Sequence, residues 1–183
     1  ADLLLVAAGV APVTDFLAGS GVAVDRGVLV DDSMRASVDG IWAAGDVAQA
    51  KGFYSGEKTL NGILPSAVEQ GKIAGMAMAG DPALKPWPGG VPLNTYTFFG
   101  QQAVSVGSQE AGDVVRKEAD AKHYLKIVMK DNRLTGIFGI NVPFDPGVMW
   151  ELILRRLDLS SVREAFIAEP QKTARTIMSR TWR

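Results

Sequence analysis

The residues best placed to do chemistry are an aspartate and the opening of a helix. In Gly40-Ile41-Trp42-Ala43-Ala44-Gly45-Asp46, a hydrophobic run with strand character ends in glycine and then an acid. In open α/β sheets, ligands gather at the carboxyl ends of strands. Gly45 has no Cβ, so a bulky group can approach the backbone there. The Asp46 carboxylate can accept hydrogen bonds from the hydroxyls of a polyol. Spacing alone leaves another reading open, because an acid after a strand is also an ordinary turn residue or helix cap. The second piece is the helix expected from Leu64-Pro65. Its first free N–H groups and positive dipole end can stabilise negative charge, although a plain core helix fits the same residues. Together, an acid to hold hydroxyls and a helix start to face an electron-rich edge would make a cofactor site from Gly45, Asp46, Ser66 and Ala67.

Several other chemistries lack their residues. With no cysteine, the chain cannot supply a thiolate nucleophile, a CxxC dithiol, a disulfide or an iron–sulfur ligand set. One histidine, His123, cannot build a histidine-rich metal site and reads as a strand-edge residue. No metal site and no catalytic side chain is therefore nominated. A net charge of -1 gives no reason to expect nucleic acid. Charge is uneven, however: residues 111–183 carry thirteen Lys/Arg against nine Asp/Glu, and residues 1–110 carry six against eleven. The basic half could be a solvated face or a functional surface. No apolar run approaches the ~20 residues of a membrane-spanning helix, and the start lacks the basic leader of a signal peptide.

The elements that must position these residues follow from local patterns. Leu3 to Ala8, ending at Gly9, predicts a buried strand. Val22–Val24 and Val28–Val30 read as a hairpin or edge segment. Ile41 to Ala44 predicts a second buried strand, and residues 47–62 a glycine-containing loop. Pro65 suits a first helical turn, and Ala67, Val68, Ile73, Ala74, Ala77 and Met78 extend an apolar stripe toward Gly80. Gly71, Ala74, Gly75 and Ala77 would let a backbone or flat ligand come close. Four prolines between Asp81 and Pro92 then predict a stiff connector.

Beyond it, residues 94–99, 103–106, 114–118, 123–129 and 134–140 read as five short strands, with Asp131-Asn132 as a hairpin turn. Asp145-Pro146 starts a helix expected through Leu157. Ser161 and Glu164 fit a capping box for a further helix. The tail carries Lys172, Arg175, Arg180 and Arg183, with Ile177 and Trp182 available for docking. Strands followed by helices predict a small α+β domain.

The segment from Ala1-Asp2-Leu3-Leu4-Leu5-Val6-Ala7-Ala8-Gly9 to Pro12, the run Met34–Ala48 and Pro65-Ser66-Ala67-Val68-Glu69-Gln70-Gly71 together resemble the pyridine nucleotide–disulfide oxidoreductases. The likeness is greatest to the branch of NADH-dependent nitrite reductases, NADH oxidases and rubredoxin reductases. Asn94–Gly100, Ser105–Gly107 and Lys126–Gly136 resemble the C-terminal domain of that branch. The resemblance implies α/β plus α+β architecture: residues 1–85 as the second segment of a split, Rossmann-like FAD-binding domain, and residues 86–183 as a small dimerisation or interface-like domain.

By the same resemblance, Asp46 would hold the FAD ribityl chain, and residues 65–67 would lie by the pyrimidine edge of the flavin. Gln70 and Gly71 would line the same wall, while Trp42 packs in the core. Glu57 and Lys58 are weaker candidates for the flavin edge. The sequence departs from the family in two places. Val13 stands where asparagine usually follows the proline, and no GxGxxG occurs. The resemblance therefore implies that the ADP part of FAD and the NAD(P)H reductant are bound by an upstream portion. This chain alone would hold FAD weakly or not at all and be inactive. A homo-oligomer or redox partner subunit, no nucleic acid, no membrane insertion and a cytoplasmic setting complete the expectations. A non-catalytic oligomerisation or electron-partner docking module is the alternative.

Overall fold

The computed structural model describes residues 1–181. Trp182 and Arg183, the former expected to dock the tail, lie outside the described residues. The chain divides into two compact units, one of residues 1–52 and 56–88 and one of residues 53–55 and 89–183.

The first unit is built on a three-stranded sheet. Strand β1 (Val28–Leu29) pairs in parallel with β2 (Ala48–Lys51), which pairs antiparallel with β3 (Lys58–Leu60). Helix α1 (Leu64–Met78) follows, and Pro65 takes its first turn, where a missing N–H costs nothing. Val28, Val30, Met34, Ala48, Ala50, Ile73, Ala74 and Trp87 form the core. Trp87 is sealed in it and satisfies its indole by donating to the Lys51 carbonyl at 2.9 Å. Buried Gln49 is fully used. Its Oε1 accepts from the N–H groups of Arg26 and Gly27, and its Nε2 donates to Asp25. A Cβ at Gly27 would stand 2.6 Å from the Val47 carbonyl oxygen, so only glycine fits between these strands.

Three expectations fail in this unit. Residues 3–8 form no strand, and Leu3, Leu4 and Leu5 are each more than 80% exposed. The run has strand composition, but no neighbouring strand among the described residues offers it a ladder, and an unpaired strand is not stable by itself. Ile41 to Ala44 is extended yet makes only one bridge, Trp42 to Arg35. Residues 47–62 are not simply loop. They contain the β2–β3 hairpin, whose turn residues 53–55 group with the second unit.

The second unit has an antiparallel sheet in the order β4-β5-β8-β7-β6, made of Leu93–Phe98, Gln101–Gly107, Arg133–Ile140, Tyr124–Lys130 and Asp113–Ala119 respectively. All five expected strands are present. Asp131 and Asn132 both adopt positive φ, 49° and 57°, which closes β7 and β8 with the turn twist that hairpins prefer. Alternate residues Val104, Val106, Leu125, Ile127 and Ile137 point to one face. They pack there against helices α2 (Pro146–Leu154), α3 (Arg163–Ala168) and α4 (Pro170–Thr181) through Met149, Leu152, Ile153, Phe166, Ala174 and Met178. Asp145 caps α2 by accepting from the N–H groups of Gly147 and Val148 at 3.0 and 3.2 Å.

The capping box expected of Ser161 and Glu164 does not form. The chain enters α3 through a 3-10 turn over Ser160–Val162, and Asp158 caps that turn instead by accepting from Ser160 N–H at 2.9 Å. No helix among the described residues is long and apolar enough to cross a membrane.

Candidate functional site

The expected site residues lie in the first unit, around one short turn. Ala44 is extended, Gly45 swings to φ +79°, and Gly45–Val47 make a single 3-10 turn before β2. Asp46 therefore sits at the entry to a strand and not at the end of one, because Ile41 to Ala44 never joins the sheet. The left-handed backbone at residue 45 explains the glycine: a side chain there would be strained.

Helix α1 starts beside this turn. A Cβ at Gly45 would come within 3.6 Å of the Ala67 Cβ. The Gly45 N–H donates to Gln70 Oε1 at 2.8 Å. Across the loop, a Cβ at Gly62 would lie 3.4 Å from the Asp46 carboxyl carbon, so the glycine leaves room for the acid. Gly45, Asp46, Ala67 and Gln70 are thus brought together, with Pro65 and Ser66 in the same helical turn as Ala67.

The start of α1 is chemically open. Its N-cap is Ile63, which offers no side-chain oxygen, and among the described hydrogen bonds the Leu64 and Ser66 N–H groups find no partner. Ser66 is completely buried, yet its hydroxyl has no partner either. Asp46 is exposed and makes no hydrogen bond or ion pair among the described residues. An unengaged acid, a glycine gap, an uncapped helix start and an orphaned buried hydroxyl fit a ligand with hydroxyls at one end and a partly negative, hydrogen-bond-accepting edge at the other. That is the chemistry of the ribityl and pyrimidine portions of FAD. The diphosphate has no matching cradle in the sequence, which contains no GxGxxG.

The other candidates are placed differently. Lys58 donates its ammonium to the Val30 carbonyl and so serves the sheet. Glu57 contributes its backbone carbonyl to the Gly52 N–H at 2.9 Å, closing the hairpin. Trp42 packs against the core, with the Arg35 guanidinium 5.6 Å from its ring centre. Gly71 and Gly75 are exposed, and a Cβ on either would meet nothing within 4 Å. With Leu64, Val68 and Met78, 77%, 58% and 58% exposed, they make an uncovered apolar face along α1. Sequence reasoning missed Gly62 and the orphaned Ser66 hydroxyl. A glycine facing an acid sixteen positions away has no local signature. No three His, Cys, Asp or Glu cluster in a way that could hold a metal among the described residues.

Residues 1–74 match the family profile described as pyridine nucleotide-disulphide oxidoreductase. All of the chain aligns with 44% of the NADH-dependent phenylglyoxylate dehydrogenase subunit epsilon of Aromatoleum evansii, at 55% identity. At 27% identity, 93% of the chain aligns with 21% of the nitrite reductase [NAD(P)H] of Bacillus subtilis. A crystal structure of an FAD-dependent pyridine nucleotide-disulphide oxidoreductase from Desulfovibrio vulgaris shares the fold, with a TM-score of 0.68 at 22% identity over 96% of this chain and 48% of that one. The chain spans less than half the length of each of these relatives. The profile match spans the Gly45–Asp46 turn and the start of α1, and with the 55% identity along the whole chain it supports membership of the pyridine nucleotide–disulphide oxidoreductase family.

Proposed function

We propose that this chain supplies the second half of the FAD site, and a following interface domain, to an oxidoreductase that passes electrons from NAD(P)H through FAD to a further acceptor. The observation that carries this reading is the hydrogen-bonded placement of the Gly45–Asp46 turn against α1, whose first turn is uncapped. In it, Asp46 accepts hydrogen bonds from ribityl hydroxyls, and the Leu64 and Ser66 N–H groups face the pyrimidine edge. The backbone at Gly45 admits the cofactor where a side chain would exclude it. When bound, FAD supplies the hydride-accepting and electron-passing chemistry, while the protein supplies position and electrostatics.

Two uncovered apolar surfaces support a site completed by more protein. One is residues 3–6, the other the Leu64–Val68–Met78 face of α1. Both have the composition of core, and a sheet-forming FAD-domain half is the partner they fit. The ADP portion of FAD and the NAD(P)H belong to that other half. The 55% identity to a subunit named as NADH-dependent favours NADH as reductant and a place within a multisubunit dehydrogenase. A docking role for the second unit is the other reading. It is favoured by the β4–β5 hairpin tip, where Phe98 is 63% exposed and Phe99 is wholly exposed at φ 48°.

The test is Asp46→Ala in the intact protein, with FAD per polypeptide measured after exhaustive dialysis. Loss of most of the flavin is expected. Wild-type occupancy would remove Asp46 from the site and the reading with it.

A further inference from the structure

We propose that Gln70 is a positioning residue for the cofactor turn: it does not hold the ligand itself but fixes the backbone that aims Asp46. This rests on the reading of Asp46 given above.

Gln70 is a polar side chain only 2% exposed, in a unit whose core is otherwise almost entirely apolar. A buried carboxamide needs a specific partner to offset its desolvation. The partner is the Gly45 N–H, which donates to Oε1 at 2.8 Å. That bond assigns the amide: the oxygen faces Gly45, and Oε1 is committed to protein.

Gly45 is held at its other end as well, because its carbonyl accepts from the Ala48 N–H in the 3-10 turn. The residue immediately before Asp46 is therefore clamped on both sides in a left-handed conformation at φ +79°. On α1, Ser66 and Gln70 are four residues apart and both buried, so they share one helical face, and Ala67 stands next to Gly45. One helix thus does two things. Its first turn presents free N–H groups, and a side chain one turn later sets the register between that start and the acid. A ligand gripped at two points depends on the separation of those points, which makes the Gln70–Gly45 bond the distance-setting contact. An apolar residue at position 70 would fill the space but leave the Gly45 N–H without a partner and the turn free to rotate.

The experiment uses the intact flavoprotein and measures FAD dissociation constants by flavin fluorescence for wild type, Asp46→Ala, Gln70→Met, the double variant and Gln70→Glu. Methionine keeps the length and removes the acceptor. Glutamate keeps an acceptor for Gly45. Gln70→Met is expected to weaken FAD about tenfold or more, the size associated with an unsatisfied buried donor. In the double variant the two losses should be clearly smaller than their product, because Gln70 acts through the placement of Asp46. Gln70→Glu should recover most of the affinity.

Losses that multiply in full, or wild-type affinity in Gln70→Met while Asp46→Ala is impaired, would overturn the positioning role and leave the Asp46 reading intact. Unchanged affinity in Asp46→Ala would instead overturn the underlying reading. If Gln70→Met does not fold, hydrogen exchange at the Gly45 amide of wild-type protein decides. Strong protection is expected, and exchange at the rate of a free amide would overturn the proposal.

Discussion

The Tyr54 hydroxyl donates to the Thr135 carbonyl oxygen at 2.7 Å, joining residues 53–55 to strand β8 within the second unit. The same carbonyl accepts from the Ser108 N–H at 2.9 Å. Arg156 lies over the neighbouring Phe53 ring, 4.2 Å from its centre, and Phe53 meets Tyr54 edge to face. Phe53 and Tyr54 thereby belong to the core of the second unit.

Burial pushes the Tyr54 phenol well above its usual range, outweighing the Ser108 backbone and Arg156 charge that act the other way. A phenol whose folded pKa exceeds its unfolded value of ~10 gives stability that is complete below about pH 10 and is lost as pH rises beyond it. Denaturant titrations of wild type and Tyr54→Phe should show a cost of about 1 kcal/mol for the variant at neutral pH. Part of the alkaline loss should also disappear in it. Identical profiles above pH 10 would show that Tyr54 does not titrate with unfolding.

Two glycines at hairpin ends separate strain from collision. Both have positive φ, 83° at Gly107 and 77° at Gly100. A Cβ at Gly107 would lie 2.3 Å from the Thr135 carbonyl oxygen and 2.8 Å from the Tyr54 hydroxyl, whereas one at Gly100 would meet nothing within 4 Å. Gly100→Ala should cost about 1 kcal/mol for backbone strain. Gly107→Ala should cost about 2–4 kcal/mol, strain plus overpacking. Equal losses in chemical denaturation would refute the distinction.

The exposed run Leu3 to Val6 contributes nothing to the core of the 183-residue chain. Replacing Leu4 and Leu5 with lysine should reduce self-association and dye binding, measured by light scattering and ANS fluorescence, because exposed apolar patches drive both. The unfolding midpoint should stay unchanged within error. A clear drop would mean that these leucines are packed.

The same chain, titrated with FAD by calorimetry, should show weak binding or none. Asp46 and the α1 start address only part of the cofactor, and no glycine-rich loop is present for its diphosphate. A tight, saturable one-to-one complex would contradict this.

The sequence by itself determined whatever rests on neighbours within a turn or a strand. The five strands of the second unit follow from alternation, their β7–β8 turn from Asp131-Asn132, and the start of α2 from Asp145 ahead of Pro146. It also singled out Gly45, Asp46 and the α1 start, which the structure places beside one another. Tertiary structure alone decided which segments find partners. Leu3 to Ala8 and Ile41 to Ala44 have strand composition, yet no ladder receives them. Lys58–Leu60 looked like loop, yet it pairs with β2. Residues 53–55 join the second unit through Tyr54 and Thr135, eighty-one positions apart, and Gln70 reaches back to Gly45 across twenty-five. Propensity and capping act over a few residues. A hydrogen bond between distant segments forms only when packing has brought them together, and no local pattern encodes that meeting.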